Sequence, residues 1–68
     1  MEQTIGETAG LIWNYLDSHG ETEVTKIKFD LNLNNTTLFL SLGWLLRENK
    51  IQLQKEKNTS RAKLIQQI

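Results

Sequence analysis

The stretch from Leu31 to Ile51, LNLNNTTLFLSLGWLLRENKI, decides how the chain is read, because it holds a tight turn, a long apolar helix and the start of a strand. Asn32 enters the left-handed region at little cost, so it can close one helix as glycine does. Asn34 or Asn35 can then cap the next helix by accepting its orphan N–H groups. Two helices joined by so short a connection cross steeply. From Thr36 onward, at about 100° per residue, Leu38, Leu42, Leu45 and Leu46 share one face with Phe39 at its flank, and that face is the expected core. The other side carries Thr36, Leu40, Gly43, Trp44 and Arg47, with Thr37 beside it. A helix apolar on nearly every side is normally covered all round. The spacing leaves two covers open: the hairpin that follows, over Trp44, and a second protein chain, over Leu40.

Upstream, Thr4-Ile5-Gly6-Glu7 has capping-box spacing, in which the hydroxyl takes the N–H three residues on and the carboxylate reaches back. A helix is predicted from about Ile5 to Ser18, with Ile5, Ala9, Ile12 and Leu16 on one stripe, Trp13 and Tyr15 on its shoulders, and Asn14 and Ser18 outward. His19-Gly20 stops it. Glu21 to Thr25 suits one or two residues of edge strand. From about Val24 to Leu31, Val24, Ile27, Phe29 and Leu31 fit a short helix, with Phe29 off its core face. Downstream of Asn49-Lys50 the apolar period becomes two: Ile51 and Leu53 alternate with Gln52 and Gln54. Glu56 to Ser60 supplies a polar reversal, and Arg61 and Lys63 then alternate with Ala62 and Leu64. This is a hairpin with a cationic tip and outer face. Residues 65–68 are too few to classify and are expected to fray.

Sixty-eight residues allow one domain, spanning 1–68, with a core near the lower limit of independent folding. There is no cysteine, hence no disulfide framework or thiolate metal site. With no leader and no long apolar run, no membrane association is expected and the cytoplasm is the default location. The net charge is zero, so the strong prior for nucleic acid that a very basic chain carries is missing. The distribution is uneven. Residues 1–23 hold Glu2, Glu7, Asp17, Glu21 and Glu23 with no Lys or Arg, a balance of −5, and the rest holds eight cations against Asp30, Glu48 and Glu56, a balance of +5. One end could face phosphate while the other repels it; two unlike solvated ends is the plainer alternative.

Helix, short strand, helix, tight turn, helix, hairpin is the order of a winged helix-turn-helix, an α+β fold of three helices with a C-terminal β-hairpin wing and a short strand before the second helix. The segments IGETAGLIWNYLDSHGE and TLFLSLGWLLRENKI resemble a family of small bacterial winged-helix proteins of unknown function, through Gly6, Ala9 and Gly10 at the opening and Leu42 to Leu45 at the centre. The resemblance covers nearly the whole chain and implies the fold, not an activity. Winged helices in general bind DNA, and many serve as protein-docking modules; fold alone is an analogy.

Catalysis is not expected. His19 sits where an imidazolium suits a helix C-terminus. Glu2, Glu7, Glu21 and Glu23 are scattered without His or Cys support for a metal, and no phosphate-cradling glycine motif exists. No cofactor or small-molecule substrate is anticipated. The first functional expectation is duplex DNA binding in gene regulation. Asn35, Thr36, Thr37 and Leu40 would face base edges with Arg47 further along, and Lys55, Lys57, Asn58, Ser60, Arg61 and Lys63 of the wing would meet phosphates. The helix is the weak half, having no Arg or Lys in its first two turns for the common guanine contact. The second expectation is protein association or homodimerisation through Leu40 and Trp44, since tryptophan is enriched where interfaces hold their binding energy. Trp44 packed under the wing is the competing reading.

Overall fold

A computed structural model of the chain describes residues 4–65. Its elements are α1 (Ile5–His19), β1 (Thr22–Glu23), α2 (Val24–Leu31), α3 (Asn35–Arg47), β2 (Ile51–Lys55) and β3 (Ser60–Leu64). The expected α+β order is present. Of the tail expected to fray, residues 66–68 lie outside the described part.

Local chemistry sets the boundaries. Thr4 Oγ1 accepts the Glu7 N–H at 3.0 Å and Glu7 Oε1 accepts the Thr4 N–H at 2.9 Å, so both halves of the capping box form. Gly20, at φ 80°, ends α1 in a region that side chains rarely enter. α1 reaches His19 rather than stopping at Ser18: the His19 ring stacks on Tyr15 at 4.1 Å between centroids, and its Nδ1 lies 2.9 Å from the Tyr15 carbonyl oxygen. A carbonyl only accepts, so Nδ1 carries the hydrogen.

Asn32 closes α2 at φ 55°, ψ 51°. The Asn32 N–H donates to the Phe29 carbonyl and the Leu33 N–H to the Lys28 carbonyl, the paired bonds of a Schellman ending. Asn49, at φ 57°, closes α3 in the same way, with its own N–H on Leu46 and that of Lys50 on Leu45. Of the two candidate caps for α3, Asn34 is the one used: its Oδ1 accepts the Thr37 N–H at 2.7 Å.

The sheet runs in the order β1-β3-β2, antiparallel throughout. Ala62 on the central strand faces Thr22 on one side and Leu53 on the other, and Leu64 faces Ile51. Ala62, Thr22 and Ile51 are buried, so this face of the sheet closes the core; Arg61 and Lys63, one residue out of phase, belong to the other face. The helices complete the core with Ala9, Ile12, Tyr15 and Leu16 of α1, Val24 and Ile27 of α2, and Leu38, Leu42 and Leu45 of α3.

Several expectations about faces need correction. Leu46 is 40% exposed, and Ser41 takes its place in the buried stripe. On the helical wheel Leu46 and Phe39 sit roughly a quarter turn from Leu38 on one shoulder, and the core is centred toward the other, where Ser41 lies. Tyr15 is buried, whereas Trp13, its fellow shoulder residue, is exposed; Ile5 is only half-buried, and Thr8 occupies the core instead. The hydroxyls of Thr8 and Ser41 are buried with no hydrogen-bond partner among the described residues. Phe29 is off the core face as expected, 85% exposed.

Candidate functional site

The turn at Asn32 and the cap at Asn34 fix how α3 leaves α2, and this phase decides what α3 shows to solvent. Phe39, Leu40 and Trp44 are each more than half exposed, at 58%, 54% and 52%. Gly43 lies between them without any atom that a side chain there would meet, so this side of the helix is open. No cation occurs along α3 before Arg47 in its last turn. The surface thus offers apolar area and almost no charge.

Trp44 is not under the wing. A carbon added at Gly6 would lie 3.7 Å from Trp44 Cζ2, an ordinary van der Waals contact, so the indole leans on the start of α1. Trp44 and Trp13 border a shallow cleft of about 250 Å³ that runs past Gly6, Ala9 and Gly10 to Glu48 and Lys50. A second apolar surface consists of Phe29 at the end of α2 and Leu33 of the following turn, beside Lys28.

The residues expected to read bases sit as follows. Asn35, Thr36 and Leu40 are exposed at the open end of α3, Thr37 is half-buried with its N–H held by the cap, and Arg47 is exposed two turns beyond Leu40. On the wing, β2 and β3 are joined through Glu56 to Thr59, with the Glu56 N–H donating to the Thr59 carbonyl at 2.8 Å. Lys55, Lys57, Asn58 and Lys63 are exposed, and Ser60 and Arg61 are half-buried. Among the described residues, Arg47, Lys55, Lys57 and Lys63 have no carboxylate within 4.0 Å.

Arg61 differs from the other cations. Its Nε donates to Glu56 Oε1 at 2.6 Å, and its terminal nitrogens lie 3.7 Å from Glu23 Oε1 and 3.9 Å from Glu21 Oε2. The wing's outer face is therefore not uniformly cationic: three carboxylates surround one guanidinium beside its reversal.

A polar tie fastens α1 to α2 away from these surfaces. The Tyr15 hydroxyl donates to Asp30 Oδ2 at 2.5 Å, and Lys26 Nζ donates to the same oxygen at 3.0 Å. The two donors hold the Asp30 carboxyl below its ordinary value. In return Asp30 raises Tyr15, assisted by burial, and raises Lys26.

Sequence reasoning overlooked Phe39 as a surface residue and the carboxylates around Arg61. The helix offers no polar residue at Phe39 to mark that side as outer, so nothing local pointed to its exposure. Arg61 meets partners far away in sequence, and only the register of β3 with β1 brings them together.

Helices α2 and α3 joined by a closed turn, with an antiparallel hairpin behind them and a two-residue strand completing its sheet, define a winged helix-turn-helix domain. The chain belongs to the family described as winged helix-turn-helix domain (DUF2582), whose model matches residues 1–64. No curated protein and no solved structure matches the chain. The fold is one that DNA-binding proteins use, which makes DNA a candidate ligand without naming a regulatory role. No helix among the described residues is long and apolar enough to cross a membrane.

Proposed function

We propose that the chain is a non-enzymatic docking module whose outer α3 face packs on a second copy of itself. One observation carries this reading: Phe39, Leu40 and Trp44, all more than half exposed, lie along a helix with no cation before Arg47. Large apolar side chains gathered on one surface, with charge kept to the edge, are the makeup of an interface centre. The choice of partner rests on charge. Zero net charge lets two copies meet without overall repulsion, and the docking face itself carries no cation before Arg47.

The test is the mass in solution by sedimentation at increasing concentration. Twice the chain mass is expected for the native protein, and Leu40→Glu should return it to the monomer with its circular dichroism unchanged. A native chain that stays monomeric at high micromolar concentration sinks this reading, and a mass that Leu40→Glu does not alter moves the interface elsewhere.

A second reading is favoured by the unpaired cations Lys55, Lys57 and Lys63 on the wing, with Arg47 at the end of α3. They supply what phosphate contact needs, so duplex DNA binding of a sequence-tolerant kind remains the alternative, with a role in gene regulation. Asn35, Thr36, Thr37 and Leu40 would then be the groove-facing residues, and Asn35 has the best chemistry for a base edge. Titration with mixed-sequence duplex at low and moderate salt separates the readings: shifts of the wing amides that weaken with salt support DNA, and unmoved wing amides remove it.

A further inference from the structure

Arg61 stands on the central strand, in register with Glu23 of β1 and Gln54 of β2, so its side chain leaves the sheet on the face opposite buried Ala62. Its guanidinium carries five N–H donors in a rigid fork. The short bond to Glu56 uses Nε, and the terminal nitrogens point toward Glu23 and Glu21. These carboxylates come from two separate segments, Glu56 from the reversal after β2 and Glu21 and Glu23 from the run into and along β1. Thr59, at the far end of the reversal, brings its hydroxyl 3.5 Å from Glu23 Oε2. The loop at the wing tip is thus tied back to β1 through Arg61, with the Thr59 hydroxyl only in long contact with Glu23.

A phosphate approaching Arg61 would have to displace the 2.6 Å bond to Glu56 and come to rest among three carboxylates. Like charges at that range oppose it. The lysines at 55, 57 and 63 face no such barrier.

We propose that Arg61 is the positioning residue of the wing, not one of its phosphate contacts: it fixes the reversal from Glu56 to Thr59 against β1 and leaves polyanion contact to Lys55, Lys57 and Lys63. The part of this concerning polyanions rests on the DNA reading above; the part concerning the reversal does not.

The experiment uses the full ¹⁵N-labelled chain and the variants Arg61→Gln, Glu56→Gln and Lys57→Gln, each checked for an intact amide spectrum. Backbone order parameters at Lys57 and Asn58 are expected near the rigid value of about 0.85 in the native chain and below about 0.6 in Arg61→Gln and Glu56→Gln. Binding to a mixed-sequence duplex is then followed against salt. Lys57→Gln should lower the slope of log K on log salt by about 0.9. Arg61→Gln should weaken binding about fivefold, the cost of ordering a loosened loop, with the slope unchanged. A slope that falls in Arg61→Gln as it does in Lys57→Gln overturns the proposal, and so does a reversal that stays ordered without Arg61. A native chain that binds no duplex removes the DNA reading alone, and the order parameters then decide the role of Arg61.

Discussion

Leu42 and Leu40 stand two residues apart on α3, one 1% exposed and the other 54%. The inner side of the helix, Leu38, Leu42 and Leu45, is buried against α1 and the start of the sheet at β2, while the outer side, Phe39, Leu40 and Trp44, is as apolar and largely bare. Polarity therefore does not separate the two sides; the phase at which the turn releases α3 does. A core that wanted only stability would have polar residues outside, and the bare side is what the proposed docking accounts for.

The comparison is broken most directly with one pair of substitutions. Leu42→Ala should cost about 2–5 kcal/mol, and Leu40→Ala should stay within about 0.5 kcal/mol. Urea unfolding shows the difference, run at a concentration low enough that self-association adds nothing to apparent stability. Equal losses for the two would mean that the sides are not distinct.

The next effect tests the device that sets the phase. Asn32→Val places a β-branched residue at φ 55° and should cost about 1–2 kcal/mol, whereas Asn32→Gly should be nearly neutral. Ser41→Ala probes the inner side for its misfit. That hydroxyl is buried without a partner, so its removal should raise stability by about 1 kcal/mol, and a loss would show a hydrogen bond formed in solution.

The smallest effect concerns the tie between α1 and α2, which anchors the inner side from behind. The Asp30 carboxyl is held low, so its contribution is present above the ordinary value of 3.8 and is lost as pH falls through the lowered one. Tyr15 and Lys26 are raised, so theirs is present below 10.0 and 10.5 and is lost as pH rises through the raised values. A thermal midpoint that is level between these limits and declines at both is expected, and Asp30→Asn should flatten both declines.

Much of the fold could be read from residues that act on their own neighbours. The Thr4–Glu7 box, the Gly20 stop, the left-handed Asn32 and the change to a period of two after Asn49 each act over a few residues, and each stands in the structure. The site was less readable. The sequence leaves Trp44 either under the wing or at an interface; it rests on Gly6, still half exposed, because α1 lies against α3. Leu46 and Phe39 were assigned to or beside a core whose centre only the packed neighbours of α3 define.

The sequence by itself determined the order and ends of the elements, because turns, caps and alternation are fixed by bonds between residues close together along the chain. Only the tertiary structure decided where the covered side of α3 ends, with Ser41 inside and Leu46 outside, and that Arg61 is surrounded by Glu21, Glu23 and Glu56. Those outcomes depend on how distant segments come together, and no single segment carries that information.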